Sequence, residues 1–285
     1  SKSELHKPNF AKRTLQKVIP TKLTIQKTIA PVPDNIEIPM TLKEFVDWCG
    51  KSKQKYIRII GNYIRSNNGR EQGGGIRMTG TSLVENCYIL NNETRLNGGN
   101  TGSDGGAGVW MDTGCILRNC LVFGNQIAYA VAGEAGAGVR MAGGGSMENC
   151  TIVRNRSGWN YGGVYSGGGG VTNCIVYDNT APNTPYDVNL AAGIAYSCSA
   201  DLTNGTGNIT GSPQFVLPGS GYGTNAVMGS YRLTMGLSPC LDKGYGFAWA
   251  DEGFDLDGKQ RKYRGFVDMG AYELNAFPGT IFTLR

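Results

Sequence analysis

The chain of 285 residues contains a single histidine, His6, and this scarcity excludes many enzyme mechanisms. A histidine general base, a Ser-His-Asp triad and a multi-histidine zinc site all need imidazoles that the sequence does not supply. Charged residues are also few, at 17%. No apolar run reaches the roughly 18 residues of a transmembrane helix, and residues 1–30 lack the apolar core of a signal peptide. We therefore expect no transmembrane segment, and a mature or excised chain.

Cysteine is present, but not in the patterns of a disulfide or zinc scaffold. Eight cysteines in 285 residues are too few for a fold built on disulfides, and no two of them form a CxxC pair. Their spacing is more informative than their number.

Positive charge is concentrated at the amino-terminal end. Residues 1–70 contain fourteen Lys and Arg against five acids, a balance of +9, so the remainder carries −4 of the overall +5. The lysines are dispersed and few aromatic residues lie among them, so we expect no nucleic-acid partner. We interpret residues 1–55 as a basic arm that can include a cap, and that either stays solvated or docks on a neighbouring copy by self-association.

Glycine is the abundant residue, with 44 copies, about twice its usual share. The absence of a Gly-X-Y period excludes collagen, and a hydrophobic content of 40% is too high for a disordered low-complexity chain. The glycines therefore serve a folded structure.

Three sequence features repeat together along the middle of the chain. An Asn-Cys pair ends at Cys87, Cys120, Cys150 and Cys174, with a weaker Ser-Cys at Cys198, at intervals of 33, 30, 24 and 24 residues. Each Asn-Cys pair is preceded by a Gly that is followed by Ile76, Val109, Val139 or Val164. An asparagine also lies five residues after each of the four cysteines, at Asn92, Asn125, Asn155 and Asn179. Three features that keep the same spacing predict one repeated structural unit.

The repeat predicts an all-β fold, a single-stranded right-handed parallel β-helix (β-solenoid) with about 24 residues and three short strands per coil. We expect the cysteines to stack inward as small apolar fillers. The Asn before each cysteine is expected at a corner, where it tolerates a left-handed backbone and can hydrogen-bond the Asn one coil away. The longer intervals predict that residues 93–107 and 126–137 loop out.

The repeats resemble those of the pectate-lyase-like superfamily of right-handed parallel β-helices. They are more closely similar to bacterial surface proteins whose repeats read GGAI or GGGI, then ENC and a later Asn. The resemblance covers residues 56–200, the expected coils. The remaining residues 201–285, here called the tail, are similar to the closing segment of secreted β-helix proteins of the choice-of-anchor type. The similar residues are Tyr231-Arg-Leu-Thr, Ser238-Pro-Cys-Leu-Asp242, Asp255-Leu-Asp-Gly258 and Val267-Asp-Met-Gly-Ala-Tyr-Glu273. The resemblance implies an exported bacterial protein, extracellular or at the cell surface, whose tail supplies terminal coils and covers the end of the solenoid.

A row of cationic and aromatic residues is the main candidate ligand-binding site. The residue after each inward Ile or Val should face outward, and these residues are Arg77, Trp110, Arg140 and Tyr165, here called the stripe. Aromatic faces stack on sugar rings and guanidinium groups pair with carboxylates or sulfates, so the stripe predicts a polysaccharide or cell-surface glycan partner. Trp159 and Tyr161 are expected on its rim. The alternative is that these side chains only cover an exposed sheet.

A second outward row, Glu85, Arg118 and Glu148, alternates in sign between coils. Opposite charges on neighbouring strands predict structural ion pairs, not catalysis.

Whether the protein is an enzyme stays open at this stage. A lyase of this superfamily would need Arg77 or Arg140 as base, with Ca²⁺ held by several carboxylates, and the best nearby acids are Asp104 and Asp112. A hydrolase would need clustered Asp residues, which the coils lack. Asp255-x-Asp257-Gly258 has half the pattern of a calcium loop but is more typical of a turn, so no cofactor is predicted, with Ca²⁺ as the alternative.

The leading hypothesis is therefore an exported cell-surface β-helix that binds glycan, or another surface partner, through the stripe. The first alternative is a polysaccharide lyase or glycoside hydrolase acting on an acidic polysaccharide. The second alternative is a structural stalk or filament subunit.

Overall fold

The computed structural model describes residues 57–60, 63–66, 73–96, 105–129, 135–183, 186–189, 193–202 and 205–275. The expected basic arm, Cys49 and Asp104 lie outside the described residues, as do the middle parts of the two expected loops.

Three parallel sheets run along a solenoid, and each of the four complete coils contributes one short strand to each sheet. Sheet I consists of β3 (Ile76–Met78), β7 (Val109–Met111), β11 (Val139–Met141) and β14 (Val164–Ser166). Sheet II consists of β4 (Leu83–Glu85), β8 (Ile116–Arg118), β12 (Ser146–Glu148), β15 (Gly170–Thr172) and β17 (Gly193–Ala195). Sheet III consists of β1 (Ile57–Ile60), β5 (Cys87–Leu90), β9 (Leu121–Phe123), β13 (Thr151–Val153) and β16 (Ile175–Tyr177). The all-β solenoid with three strands per coil is confirmed.

A short fourth sheet corrects part of the loop prediction. Its strands are β2 (Tyr63–Ser66), β6 (Glu93–Leu96) and β10 (Gln126–Ile127). The first residues of the two expected loops, 93–96 and 126–127, are therefore strands and not loop. They remain regular because each pairs in parallel with the coil beside it, which satisfies its backbone hydrogen bonds.

The interior of the solenoid consists of stacked rows of like residues. The register pairs Ile76 with Val109, Val109 with Val139 and Val139 with Val164. The buried core holds these residues together with the three other expected rows: Val84, Leu117, Met147 and Val171; Cys87, Cys120, Cys150 and Cys174; Ile89, Val122, Ile152 and Val176. The inward rows predicted from the repeat are confirmed.

The glycine before each strand of sheet I allows two coils to approach closely. A Cβ atom on Gly108 would lie 2.5 Å from the carbonyl oxygen of Gly138, and one on Gly138 would lie 2.7 Å from that of Gly163. Any side chain larger than hydrogen would push these coils apart. The abundance of glycine therefore reflects coil stacking.

The corner asparagines adopt the predicted left-handed backbone. Their φ angles are 54° at Asn86, 50° at Asn119, 51° at Asn149 and 56° at Asn173. Among the described residues, the expected bond between corner amides forms only from Asn173 Nδ2 to Asn149 Oδ1, at 3.1 Å. Three of the four corner amides, those of Asn119, Asn149 and Asn173, donate to the tail.

The tail lies along the outer face of sheet III, which the sequence did not predict. The Nδ2 atoms of Asn119, Asn149 and Asn173 donate to the carbonyl oxygens of Phe254, Asp268 and Tyr245, at 2.8, 3.1 and 2.7 Å. The tail begins with a hairpin of β18 (Phe215–Leu217) and β19 (Ser230–Leu233), and includes 3-10 turns at Gly223–Asn225 and Ala248–Asp251. The sequence predicted terminal coils and a closing segment for the tail, and did not predict that it also covers this face of sheet III.

A second hydrophobic core lies between sheet III and the tail. Leu121, Phe123 and Val153 on the strands pack with Tyr231, Leu256 and Tyr272 of the tail. The ring centroids of Phe123 and Tyr231 are 5.7 Å apart. Sheet III is thus buried on both faces, which explains why β9 reads Leu-Val-Phe without a polar residue.

Candidate functional site

The backbone register places the stripe in one row across sheet I. Arg77 pairs with Trp110, Trp110 with Arg140, and Arg140 with Tyr165. Adjacent strands are about 4.8 Å apart, so the row is about 14 Å long. The guanidinium carbon of Arg77 lies 5.0 Å from the ring centroid of Trp110, and that of Arg140 lies 4.7 Å from the ring of Tyr165. The predicted alternation of cation and aromatic ring is confirmed as two cation–π pairs.

The middle of the stripe is buried, which corrects the expectation of a continuous exposed face. Trp110 exposes 5% of its surface and Arg140 exposes 6%, whereas Arg77 is exposed and Tyr165 is half-buried. The alternation of side chains along a strand predicts that all four stripe residues face outward, but it does not predict what covers them. Ligand contact by Trp110 and Arg140 is thereby restricted, while both ends of the stripe remain accessible.

Of the two rim residues, Tyr161 lies beside the stripe. Its ring centroid is 5.6 Å from that of Tyr165, with the ring planes 41° apart. Trp159 is also half-buried; its backbone nitrogen donates to Ser157 Oγ and its carbonyl oxygen accepts from Asn183 Nδ2, and its place on the rim stays a prediction. The accessible aromatic end therefore consists of Tyr161 and Tyr165.

The second outward row forms the expected ion pairs. Arg118 lies 3.5 Å from a carboxylate oxygen of Glu85 and 2.9 Å from one of Glu148. The ring of Trp249 in the tail covers the guanidinium carbon of Arg118 at 4.4 Å. The structural role of this row is confirmed, and a tail residue completes it.

The asparagines that lie five residues after the repeated cysteines form a continuous buried stack. Asn92 Nδ2 donates to Asn125 Oδ1 at 2.8 Å, Asn125 to Asn155 at 2.9 Å, and Asn155 to Asn179 at 2.9 Å. The stack ends at Asp187, whose carboxylate accepts from Asn179. Burial raises the pKa of Asp187 to about 7, against the two hydrogen bonds from Asn179 that lower it.

Sequence reasoning missed Asp187 because it falls eight residues after Asn179, outside the repeat interval. Its backbone carbonyl accepts from the Val164 nitrogen at 2.7 Å, and Val188 bridges to Val164. Val188 thus follows Val164 by a full repeat, and Asp187 takes the place of Gly163 one coil later, from where its carboxylate reaches Asn179. The Asp-Val dipeptide, which takes the place of the earlier Gly-Val, is the one sequence signal that could have indicated it.

The cysteine row holds free, buried thiols, as predicted. Seven cysteines fall within the described residues, and all seven are free and buried. Burial raises the pKa of the Cys120 and Cys174 thiols well above the usual range, which makes them unreactive fillers. Of the cysteines that the repeat did not place, Cys115 lies in the main core and Cys240 packs beside the last coil.

The carboxylates of the tail serve its own folding. Asp255 Oδ1 accepts from the nitrogens of Asp257 and Lys259 at 2.9 and 2.7 Å, and its Oδ2 accepts from the nitrogen of Glu273 at 2.7 Å. These bonds and the antiparallel bridge from Phe254 to Gln260 make Asp255-Leu-Asp-Gly258 a turn, as expected. Its oxygens already have backbone partners, and this does not favour calcium.

A buried arginine links the remaining tail motifs. Arg261 is fully buried, lies 3.3 Å from Glu273 Oε2, and donates from Nη2 to the carbonyl oxygens of Asp268 and Gly270. Burial raises the pKa of Glu273 to about 8, although the charge of Arg261 opposes this. The residues shared with the closing segments described above thus form one structural network.

No group of three or more metal-ligating side chains occurs in the part of the chain that the structure describes. Of the acids considered beside the stripe, Asp112 accepts from the Thr113 nitrogen at 2.8 Å. Within the same residues, no helix is long and apolar enough to span a membrane.

Comparison with known proteins agrees with this architecture. Residues 48–181 match the family model of the right-handed β-helix region. Searches of curated proteins and of solved structures returned no match to the chain. The family match covers all four Asn-Cys repeats, and the parallel sheets described above extend through the same residues. This protein therefore carries a right-handed parallel β-helix.

Proposed function

We propose that this protein is an exported cell-surface β-helix that binds an anionic glycan without catalysis, through the two accessible ends of the stripe. The observation that carries the proposal is the arrangement of exposed Arg77 at one end and the Tyr161–Tyr165 ring pair at the other. A guanidinium pairs with a carboxylate or sulfate, and a tyrosine face stacks on a sugar ring. Separated by about 14 Å, the two ends would contact different sugar units of one chain.

The buried middle of the stripe positions these ends. Trp110 lies under the guanidinium of Arg77, and Arg140 lies against the ring of Tyr165. Both supporting side chains are almost fully buried and hence held by packing. A preorganised side chain loses less conformational entropy when it binds, which favours affinity.

Affinity electrophoresis in gels with a uronate-containing or sulfated polysaccharide tests the proposal. We expect Arg77→Ala and Tyr165→Ala each to reduce binding by about tenfold, because each removes one contact worth about 1.4 kcal/mol. The matched control is Arg264→Ala, which removes an exposed arginine that lies 5.4 Å from the ring of Tyr263 in the tail. Equal retardation of the wild type, both stripe variants and the control would contradict the proposal.

The same polymers distinguish binding from the enzymatic alternative. A lyase creates an unsaturated product, so ultraviolet absorbance would rise with time, with or without added Ca²⁺. We expect no rise for a binding protein. A rise that Arg77→Ala abolishes would instead favour a lyase with Arg77 as base.

A further inference from the structure

Cys198 and Cys240 meet where the tail touches the last coil of the solenoid. Cys198 is the fifth member of the cysteine row, and Cys240 lies in the turn that follows Ser238. Both are free, both are fully buried, and they share one hydrophobic cluster with Ile175, Leu233 and Met269. The Cys198 thiol donates to the carbonyl oxygen of Gly211 at 3.3 Å, and contact with the neighbouring Cys240 thiol raises the pKa of Cys198.

This pair differs in geometry from the other neighbouring cysteines. Cys120 and Cys150 stand immediately before the parallel, in-register strands β9 and β13, so their Cα–Cβ bonds point the same way and do not favour the near-perpendicular torsion of a disulfide. Cys240, in contrast, lies in a turn of the tail, which is not part of the parallel strand register of the coils. The Cys240 nitrogen donates to Ser238 Oγ at 3.2 Å, and that hydroxyl donates to the Pro213 carbonyl at 2.7 Å. The direction of the Cys240 side chain is therefore set by the tail and not by the stack.

We propose that Cys198 and Cys240 form a disulfide when a disulfide oxidant is available, and that this bond links the tail covalently to the last coil. With glutathione disulfide, one cysteine thiolate attacks a glutathione sulfur and releases the first glutathione. The second cysteine then displaces the other glutathione from the mixed disulfide. Two thiols are oxidised, one S–S bond is reduced, and both protons leave on the two glutathione thiols. The proposal does not depend on glycan binding.

The reaction needs a local opening of the tail turn. Both sulfurs are buried in the closed state, and contact with Cys240 together with burial raises the pKa of the Cys198 thiol, so the closed pair reacts slowly. Pro239, Asp242 and Lys243 are exposed on either side of Cys240, so this turn can separate from the coil without exposing the solenoid core. The bond is therefore expected to form as the tail docks, or during such openings.

Peptide mapping of the folded, full chain tests the proposal directly. The protein is incubated with mixtures of oxidised and reduced glutathione, alkylated, and digested without reduction by a protease that cleaves before aspartate. Cleavage before Asp187, Asp201 and Asp242 places Cys198 in peptide 187–200 and Cys240 in peptide 201–241. We expect these two peptides to be linked, with a mass two hydrogens below their sum.

Matched variants assign the bond. Trypsin places Cys174 and Cys198 together in peptide 157–232 and Cys240 in peptide 233–243. Cys174→Ala should keep the link between these peptides, whereas Cys198→Ala and Cys240→Ala should each remove it. The digest before aspartate already separates Cys174 from Cys198 in the wild-type protein. The test therefore stays decisive even if one of these variants does not fold.

Oxidation should also stabilise the protein. Closing a loop of about 40 residues predicts a rise in Tm of roughly 5 °C or more. Three results would overturn the proposal: recovery of Cys240 fully alkylated from the oxidised folded protein, linkage of Cys240 to another cysteine, or a link that forms only in denaturant.

Discussion

Asn179 donates two hydrogen bonds to a single carboxylate oxygen of Asp187, from its backbone nitrogen at 2.8 Å and from Nδ2 at 2.9 Å. The same pair of donors on Asn155 binds the amide oxygen of Asn179 at 3.0 and 2.9 Å. Asp187 therefore takes the place of a further asparagine at the end of the buried stack. An ionisable carboxyl group thus ends a row that neutral amides otherwise form.

Asp187 is expected to make the stability of the protein depend on pH. Its pKa is about 7 when folded, above the ordinary value of 3.8, so the folded state holds a proton that the unfolded state has released. The stabilising effect is fully present below about pH 4 and is lost as pH rises through 7, an effect of about 4 kcal/mol. Asp187→Asn should remove this loss, because an amide accepts the same two bonds without charge.

Urea midpoints measured from pH 4 to pH 9 check this prediction. Glu273, Asp255 and Asp268 have raised pKa values and contribute slopes of the same sign, so the difference between wild type and variant isolates Asp187. Asp242→Asn, at an exposed carboxyl group with positive φ, is the control. An unchanged difference between Asp187→Asn and wild type at pH 5 and pH 8 would disprove the role of Asp187.

The interior of the asparagine stack should be the most sensitive polar part of the solenoid. Asn155→Ala leaves the backbone nitrogen and Nδ2 of Asn125 without their shared acceptor, and the Val122 carbonyl without its donor. Each orphaned buried group costs about 1–3 kcal/mol, so we expect a loss of about 4 kcal/mol in the free energy of unfolding. Urea unfolding followed by circular dichroism measures it.

The control for the stack is Asn225→Ala, at an exposed residue in the tail. A surface change of this kind should alter stability by less than about 0.5 kcal/mol. Equal midpoint shifts for the two variants would show that the stack contributes nothing beyond a surface asparagine.

Substitutions at two adjacent residues of β9 should distinguish docking of the tail from folding of the coils. Phe123 faces the tail and packs on Tyr231, whereas Val122 faces the solenoid interior. Phe123→Ala should weaken the second core by about 3–5 kcal/mol and release the tail, while Val122→Ala should loosen the coils. Limited trypsin digestion, read at exposed Lys243 in the tail, distinguishes the two. Cleavage at Lys243 that is no faster in Phe123→Ala than in Val122→Ala would argue against independent docking.

Arg261 is expected to be essential for the tail. Arg261→Ala leaves the Glu273 carboxylate buried without its cation and removes donors to the Asp268 and Gly270 carbonyls. Removal of one partner of a buried pair costs about 3–5 kcal/mol. Thermal unfolding should show a large decrease in Tm, against little change for Lys243→Ala at an exposed lysine. A decrease no larger than in Lys243→Ala would rule out this role.

The candidate site could be predicted only in part. The registers of Arg77 with Trp110 and of Arg140 with Tyr165 followed from the repeat, since the first three residues lie ten positions before the cysteine of their Asn-Cys pair and Tyr165 lies nine before its own. The burial of Trp110 and Arg140 did not follow, because a period of two assigns a side chain to a face but does not say what covers that face. The site therefore changed from a continuous stripe to two accessible ends.

The sequence by itself determined the coils. Each inward residue, each left-handed corner asparagine and each close-approach glycine keeps a nearly fixed offset from the Asn-Cys pair of its coil, so local patterning was sufficient to predict the stacked sheets. The tertiary structure alone decided the path of the tail, the partners of the corner amides and the end of the asparagine stack at Asp187. The physical reason is distance along the chain: the bond from Asn119 to Phe254 joins residues 135 positions apart, and a single contact at that separation leaves no period to detect.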